Sequence, residues 1–308
     1  MPPLPSPAPL DPAFRRRLLA IHGEPARAWI DELPATIEGW RTRWGLGPLR
    51  PFPLSYNWVA ATVRDDDGAA CVLKLSPDPE ILRPEAAWLT LAEGRGACRL
   101  LESAADEGAL LLEQVVPGTL LATLADVRDD EACDALGAVI GAFHRPDDGG
   151  VTFASLPTLR ERVAELDDHL RAHPAGDPFP GGLVASAARV AEQLLATADG
   201  DVLLHGDLHH DNILRDDARG WLAIDPHGLR GDATYEPAAF LYNPLEHGQR
   251  VAELAAGRCR RIAAATGFDE ARVRGWGFVQ AVLSAVWSLD EDPRPDEHVL
   301  AVARVLAP

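Results

Sequence analysis

The 308-residue sequence predicts an α+β fold of two lobes, one small and built of antiparallel strands, the other larger and mainly helical. Three observations carry that expectation. Short runs rich in β-branched and apolar residues, joined by polar turns, are concentrated before Pro117-Gly118; long helical patterns dominate after it; and the Pro-Gly pair is a natural break between them. The expected lobes are therefore residues 1–117 and 118–308.

Taken in order, a proline-rich leader over Met1 to Pro9 precedes helical spacing of Phe14, Leu18, Leu19 and Ile21 within Asp11 to Ile30, and a second helix is expected over Pro34 to Trp44. Tyr56 to Arg64 and Ala70 to Leu75 flank the turn Asp65-Asp66-Asp67-Gly68, which reads as a hairpin with Lys74 on its second strand. Pro84 followed by Glu85-Ala86-Ala87-Trp88-Leu89 starts a helix well, because proline suits a first turn and a carboxylate suits the helix dipole. Strands are expected over Cys98 to Glu102 and Ala109 to Val116. Beyond the break, helices are expected over Asp130 to His144, Leu159 to Ala172, Leu183 to Ala198 and Val251 to Thr266, with short strands around Val202 to Leu204, Ile213 to Leu214 and Trp221 to Ile224.

A formal net charge of −18 repels phosphate backbones, so nucleic acid is not an expected partner and a neutral or cationic small molecule is. No apolar run reaches the roughly 18 residues of a membrane span, and the leader lacks a signal-peptide layout, so a cytoplasmic protein with no membrane partner is expected, as a monomer or weak homodimer. Cys71, Cys98, Cys133 and Cys259 form no CxxC pair and read as buried free thiols. Lys74 is the only lysine in the chain.

The chemistry is concentrated in His205-Gly206-Asp207-Leu208-His209-His210-Asp211-Asn212, followed by Ile224-Asp225-Pro226-His227-Gly228. Phosphoryl transfer asks little covalent work of a protein; it needs a carboxylate to take the acceptor's proton and oxygen ligands to hold magnesium against a triphosphate. Asp207 and Asn212 have the base-to-metal-ligand spacing of kinase catalytic loops, and Asp225 ends the next apolar strand, where a second metal ligand belongs. An ATP- and magnesium-dependent kinase follows, with Asp207 as catalytic base and substrate contact, and Asn212 and Asp225 as metal ligands.

These two segments resemble the signature of the aminoglycoside phosphotransferases, relatives of the protein kinases, and most closely the streptomycin 6-phosphotransferase and hydroxyurea phosphotransferase branch. Trp44-Gly45-Leu46, Gly231-Asp232, Tyr235-Glu236, Asn243-Pro244 and Leu283 to Leu289 extend the similarity from about Trp40 to about Asp290. The resemblance implies a bilobal protein-kinase-like fold with ATP between the lobes. It implies that Lys74 contacts the phosphates with Glu85 as its helix partner, that Glu113 and Val115 frame an adenine-binding hinge, and that Ser55, with its loop neighbours up to Asn57, takes the place of a GxGxxG cradle absent here. Its acceptor would be a hydroxyl of streptomycin or a related aminocyclitol, with hydroxyurea or an amino sugar such as glucosamine as alternatives, and the outcome antibiotic resistance.

Other readings stay open at this point. Asp232 and Glu236 either line the acceptor site or tie the loop after Asp225 to the next helix. Trp287 is a sugar platform or a core residue. The cluster from His205 to His210 could instead hold a metal in a hydrolase, although Lys74 and Asp225 then go unexplained.

Overall fold

The computed structural model describes residues 12–53, 57–125, 127–146, 149–174, 179–245, 249–289 and 294–308. Two units result: one takes in the described residues up to Ala86 together with Leu100–Gln114, the other Ala87–Arg99 and the described residues from Val115 onward.

In the first unit, helices α1 (Pro12–His22) and α2 (Glu24–Arg43) pack on a five-stranded antiparallel sheet. The helix break falls at Gly23, earlier than the periodicity predicts, because Gly23 takes φ 61, a left-handed conformation in which a side chain is strained. Pro34 lies inside α2 rather than opening a helix. The strands are β1 (Arg50–Pro51), β2 (Trp58–Val63), β3 (Ala70–Leu75), β4 (Leu100–Ala104) and β5 (Ala109–Glu113), in the spatial order β1-β2-β3-β5-β4. Phe14, Leu18, Ile30, Leu33, Trp40, Trp58, Leu73, Leu75 and Leu111 form its core.

The β2–β3 hairpin is closed by Arg64 N–H to Ala69 O at 2.9 Å, with Asp67 Oδ1 accepting from Ala69 N–H at 2.8 Å. Its register sets Val59 opposite Lys74. Helix α3 (Pro79–Ala92) starts five residues before the predicted Pro84. Asp78 Oδ1 accepts from Glu80 N–H at 3.0 Å, and Pro79 supplies the preset φ of a first helical position.

The second unit carries β6 (Pro117–Leu120), α4 (Asp129–Phe143), α5 (Val151–Ala154), α6 (Leu159–Ala172), α7 (Leu183–Ala196), β7 (Val202–Leu204), β8 (Ile213–Asp216), β9 (Gly220–Ala223), β10 (Leu229–Gly231), α8 (Gln249–Thr266), α9 (Glu270–Ser288) and α10 (Glu297–Leu306). Its strands form two small antiparallel sheets, β10-β7 and β6-β8-β9. A capping box opens α6: Thr158 Oγ1 accepts from Glu161 N–H at 3.1 Å, and Glu161 Oε2 accepts from Thr158 N–H at 2.7 Å.

Arg258 of α8 is buried and locks that helix to α4, donating to both oxygens of Asp129 and to the carbonyls of Phe240 and Asn243. Helix α9 is buried along most of its length, from Val273 through Trp276, Val279 and Leu283 to Ala285. Among the described residues no helix is long and apolar enough to cross a membrane. All four cysteines are free and buried, as expected of them.

Candidate active site

The loop that follows β7 is shaped by backbone chemistry before any catalysis is considered. Gly206 has φ 83, and a Cβ there would meet Leu229 Cδ1 at 2.8 Å, so only glycine lets the chain turn. The two amides at the turn are taken by one carboxylate: Glu236 Oε2 accepts from His205 N–H at 2.7 Å and Oε1 from Gly206 N–H at 3.1 Å. Glu236 is 1% exposed. Of its two open readings, the loop tie is the one these bonds support.

His205 is equally committed. Its Nδ1 accepts from Asp207 N–H at 3.3 Å, so Nε2 bears the proton and donates to Ile224 O at 2.8 Å. Desolvation holds this imidazole below its ordinary value, outweighing the pull of Glu236. His210 stacks on Phe240 with centroids 3.7 Å apart and is fully buried. The hydrolytic alternative therefore finds no support: among the described residues no group of three or more His, Cys, Asp or Glu side chains is arranged to hold a metal ion.

Asp207 is presented asymmetrically. Three nitrogens surround Oδ2: Asn212 Nδ2 at 3.4 Å, His209 Nε2 at 3.5 Å and His227 Nε2 at 3.6 Å. Among the described residues no hydrogen bond to Oδ1 is found, whereas Asn212 Nδ2 donates to Oδ2. Desolvation raises the carboxyl's affinity for protons, yet His227 and His209 outweigh it and hold Asp207 well below the usual carboxylate range. The result is an ionised carboxylate with one oxygen anchored and one available.

Asn212 is tied to the residue just before Asp225, since Asn212 O accepts from Ile224 N–H at 2.9 Å. Asn212 Nδ2 donates to Asp207 O at 2.9 Å, which fixes the amide and leaves Oδ1 as the ligand end. Asp225 is exposed and has φ 59, a conformation uncommon for a residue with a side chain and concentrated at functional positions. An amide oxygen and a carboxylate are the hard donors that magnesium takes together with phosphates, so the residues fit that ion.

In the first unit, Lys74 Nζ lies 2.5 Å from Glu85 Oε2, with side chains 4% and 1% exposed. Glu80, the other carboxylate near the start of α3, is spent on a surface pair with Arg83. Glu113 ends β5 opposite Cys71, and Val115 is buried two residues on. Ser55 lies outside the described residues.

Asp232 is bonded to its own segment and to helix α9. Its oxygens accept from Thr234 N–H and Oγ1–H and from Trp276 Nε1–H, with Arg272 as ion-pair partner, and the residue is 5% exposed. Trp287 is half-buried on α9; its Nε1–H donates to Glu165 Oε2 at 2.6 Å and the Arg162 guanidinium lies 5.3 Å over its ring. Sequence reasoning assigned no role to Arg162 or His227. Arg162 is one charged position on an amphipathic helix, with no local signal to distinguish it.

Residues 53–292 match the family described as aminoglycoside/hydroxyurea antibiotic resistance kinase. The chain belongs to that family. A streptomycin 3''-kinase of Klebsiella pneumoniae is 35% identical to this chain over 241 residues, 76% of this chain and 85% of the relative. A hydroxyurea phosphotransferase of Kitasatospora aureofaciens is 32% identical over 299 residues, 94% of this chain and 83% of the relative. A crystal structure of an aminoglycoside phosphotransferase in ternary complex with ADP and hygromycin B superposes with a TM-score of 0.63 at 13% identity, covering 87% of this chain and 97% of that one. The fold is thus protein-kinase-like and α+β, as predicted, and the protein is a small-molecule phosphotransferase with a hydroxyl acceptor.

Proposed function

We propose that this resistance kinase transfers the γ-phosphoryl group of ATP to a hydroxyl of streptomycin or a closely related aminocyclitol, in the cytoplasm, with magnesium as the metal. The observation that carries the reading is the environment of Asp207, whose Oδ2 is surrounded by nitrogens while Oδ1 is open. A base for an alcohol must accept a proton from one defined direction, and this carboxylate offers one. The streptomycin 3''-kinase relative and the net charge of −18, which favours a cationic acceptor, support the choice of substrate.

In this mechanism Asp207 Oδ1 receives the acceptor's hydroxyl proton as the oxygen attacks the γ-phosphorus, and the bond from that phosphorus to the β-phosphate oxygen breaks, releasing ADP. Asn212 Oδ1 and Asp225 would hold magnesium, which when bound would offset charge on the phosphates. Lys74 takes the α- and β-phosphates as a compact ammonium, a task for which arginine's planar fork is a poor substitute. Backbone groups of Glu113 and Val115 address the adenine, Ser55 the phosphates, and Trp287 offers an aromatic edge to the acceptor. Glu236 and Asp232 work behind the site by holding the loop amides and the segment after β10.

The relative that phosphorylates hydroxyurea supports a second acceptor, because it aligns with 94% of this chain. An ATP-consumption screen over streptomycin, other aminoglycosides, glucosamine and hydroxyurea, with Asp207→Ala as blank, tests the assignment. Streptomycin-dependent turnover is expected, with the blank lower by roughly 10²- to 10⁴-fold. Turnover with hydroxyurea alone would reassign the acceptor, and an active Asp207→Ala protein would refute the base.

A further inference from the structure

The Asp207 site is connected to α6 by a chain of contacts through His227. Arg162 Nη1 lies 3.2 Å from His227 Nδ1. A guanidinium has five donors and no acceptor, so the imidazole must accept at Nδ1, and an imidazole that accepts at Nδ1 carries its proton at Nε2. That nitrogen is the one 3.6 Å from Asp207 Oδ2. The Arg162 guanidinium itself lies over the Trp287 ring, 5.3 Å from its centroid.

We propose that Arg162 is a positioning residue for the reaction: it holds His227 in the Nε2–H tautomer, whose proton faces Asp207 Oδ2 and leaves Oδ1 turned to the acceptor. The inference deepens the assignment of Asp207 as base and rests on it. Without the guanidinium, the ring is free to flip or to place its proton on Nδ1. It would then present a lone pair to an ionised carboxylate. Two lone pairs facing each other repel, and the carboxylate loses one of the three nitrogens around Oδ2. His209 and Asn212 remain, so the defect is one of orientation rather than of charge.

Two readouts keep the test independent of the acceptor. Nitrogen-15 NMR of histidine-labelled protein distinguishes protonated from unprotonated ring nitrogens, with His227 assigned by its disappearance in His227→Leu. The expected result is an Nε2–H tautomer in the wild type and a mixture of tautomers in Arg162→Met. An Nδ1–H tautomer in the wild type, or an unchanged tautomer in Arg162→Met, would overturn the proposal whether or not any acceptor is turned over.

The second readout uses the acceptor that proves active in the screen. Arg162→Met should lower kcat roughly tenfold, a fraction of what a positioned base contributes, while KM for ATP stays within about twofold. Arg162→Lys, which retains a donor, should recover part of the loss. The double variant Arg162→Met/His227→Leu should be no slower than His227→Leu, because Arg162 acts through that ring. Multiplying losses in the double variant, or a rise in KM at constant kcat, would show that Arg162 works by another route. An inactive Asp207→Ala with an unaffected Arg162→Met would leave the base assignment standing and remove this inference alone.

Discussion

Replacing Glu85 with leucine removes the carboxylate 2.5 Å from an ammonium whose side chain is only 4% exposed, whereas replacing Lys74 with methionine leaves the converse, a carboxylate 1% exposed. Breaking one side of a buried pair costs about 3–5 kcal/mol, because the remaining charge has lost a close partner in a poorly solvated place. Exchanging both members for apolar side chains of similar volume is, by contrast, neutral or stabilising by about 1–4 kcal/mol. The two single variants should therefore unfold at clearly lower urea concentration, and Lys74→Met/Glu85→Leu should return close to the wild-type midpoint. Activity should not return with it. Losing one charged donor to a reacting phosphate group typically costs about 10²- to 10³-fold, and the double variant lacks that donor as surely as the single one. Urea titrations followed by tryptophan fluorescence, paired with kcat/KM for ATP, measure both quantities on the same preparations. A double variant that regained both stability and turnover would refute the role given to Lys74, and single variants as stable as the wild type would refute the energetic reasoning.

Asp225→Ala should raise the magnesium concentration needed for half-maximal ATP binding, read by titration of a fluorescent nucleotide. Glu236→Gln keeps one acceptor oxygen but turns an amide donor toward the second of the two backbone N–H groups, so kcat should fall and unfolding should come earlier, by about 1–3 kcal/mol. Asp232 is held below the usual carboxylate range, since its bonds from Trp276, Thr234 and Arg272 outweigh the opposing desolvation. A depressed carboxyl stabilises the fold above its unfolded value near about 3.9 and loses that contribution as pH falls through the folded value. The stability gap between wild type and Asp232→Asn should thus be full at pH 7 and shrink below about pH 4 in thermal melts. Burial pushes the thiol of Cys133 up to about 12 and that of Cys259 to about 11, so neither should react with a thiol reagent at neutral pH until the chain is denatured.

Local pattern carried much of the architecture. The Asp65-Asp66-Asp67-Gly68 turn places β2 against β3, and the spacing of apolar residues finds α6 residue for residue, because α6 is two-sided, with Val163 and Leu166 inward and Glu161 and Asp168 outward. Helix α9 escaped that reading for the opposite reason. Buried almost all round, it shows no polar face for periodicity to detect. Pro84 reads as a first-turn residue in isolation, but α3 starts five residues earlier, at Pro79, behind the cap from Asp78. The early break at Gly23 is likewise a matter of backbone conformation that composition alone does not announce.

What the amino-acid order determined by itself is the reaction: a carboxylate and an amide five positions apart, a second aspartate closing the next strand, and a single lysine on a β-hairpin leave little chemistry open besides phosphoryl transfer. What only the tertiary structure decided is how each group is presented. Oδ1 of Asp207 is open because His209, Asn212 and His227 crowd Oδ2; Glu236 and Asp232 are withdrawn behind the site by bonds to loop amides, a tryptophan and an arginine; and Arg162 meets a histidine 65 residues away. The physical reason is that covalent spacing sets which residues share a strand or a turn. Which oxygen faces which nitrogen depends on packing between segments far apart in the chain, and no local pattern records it.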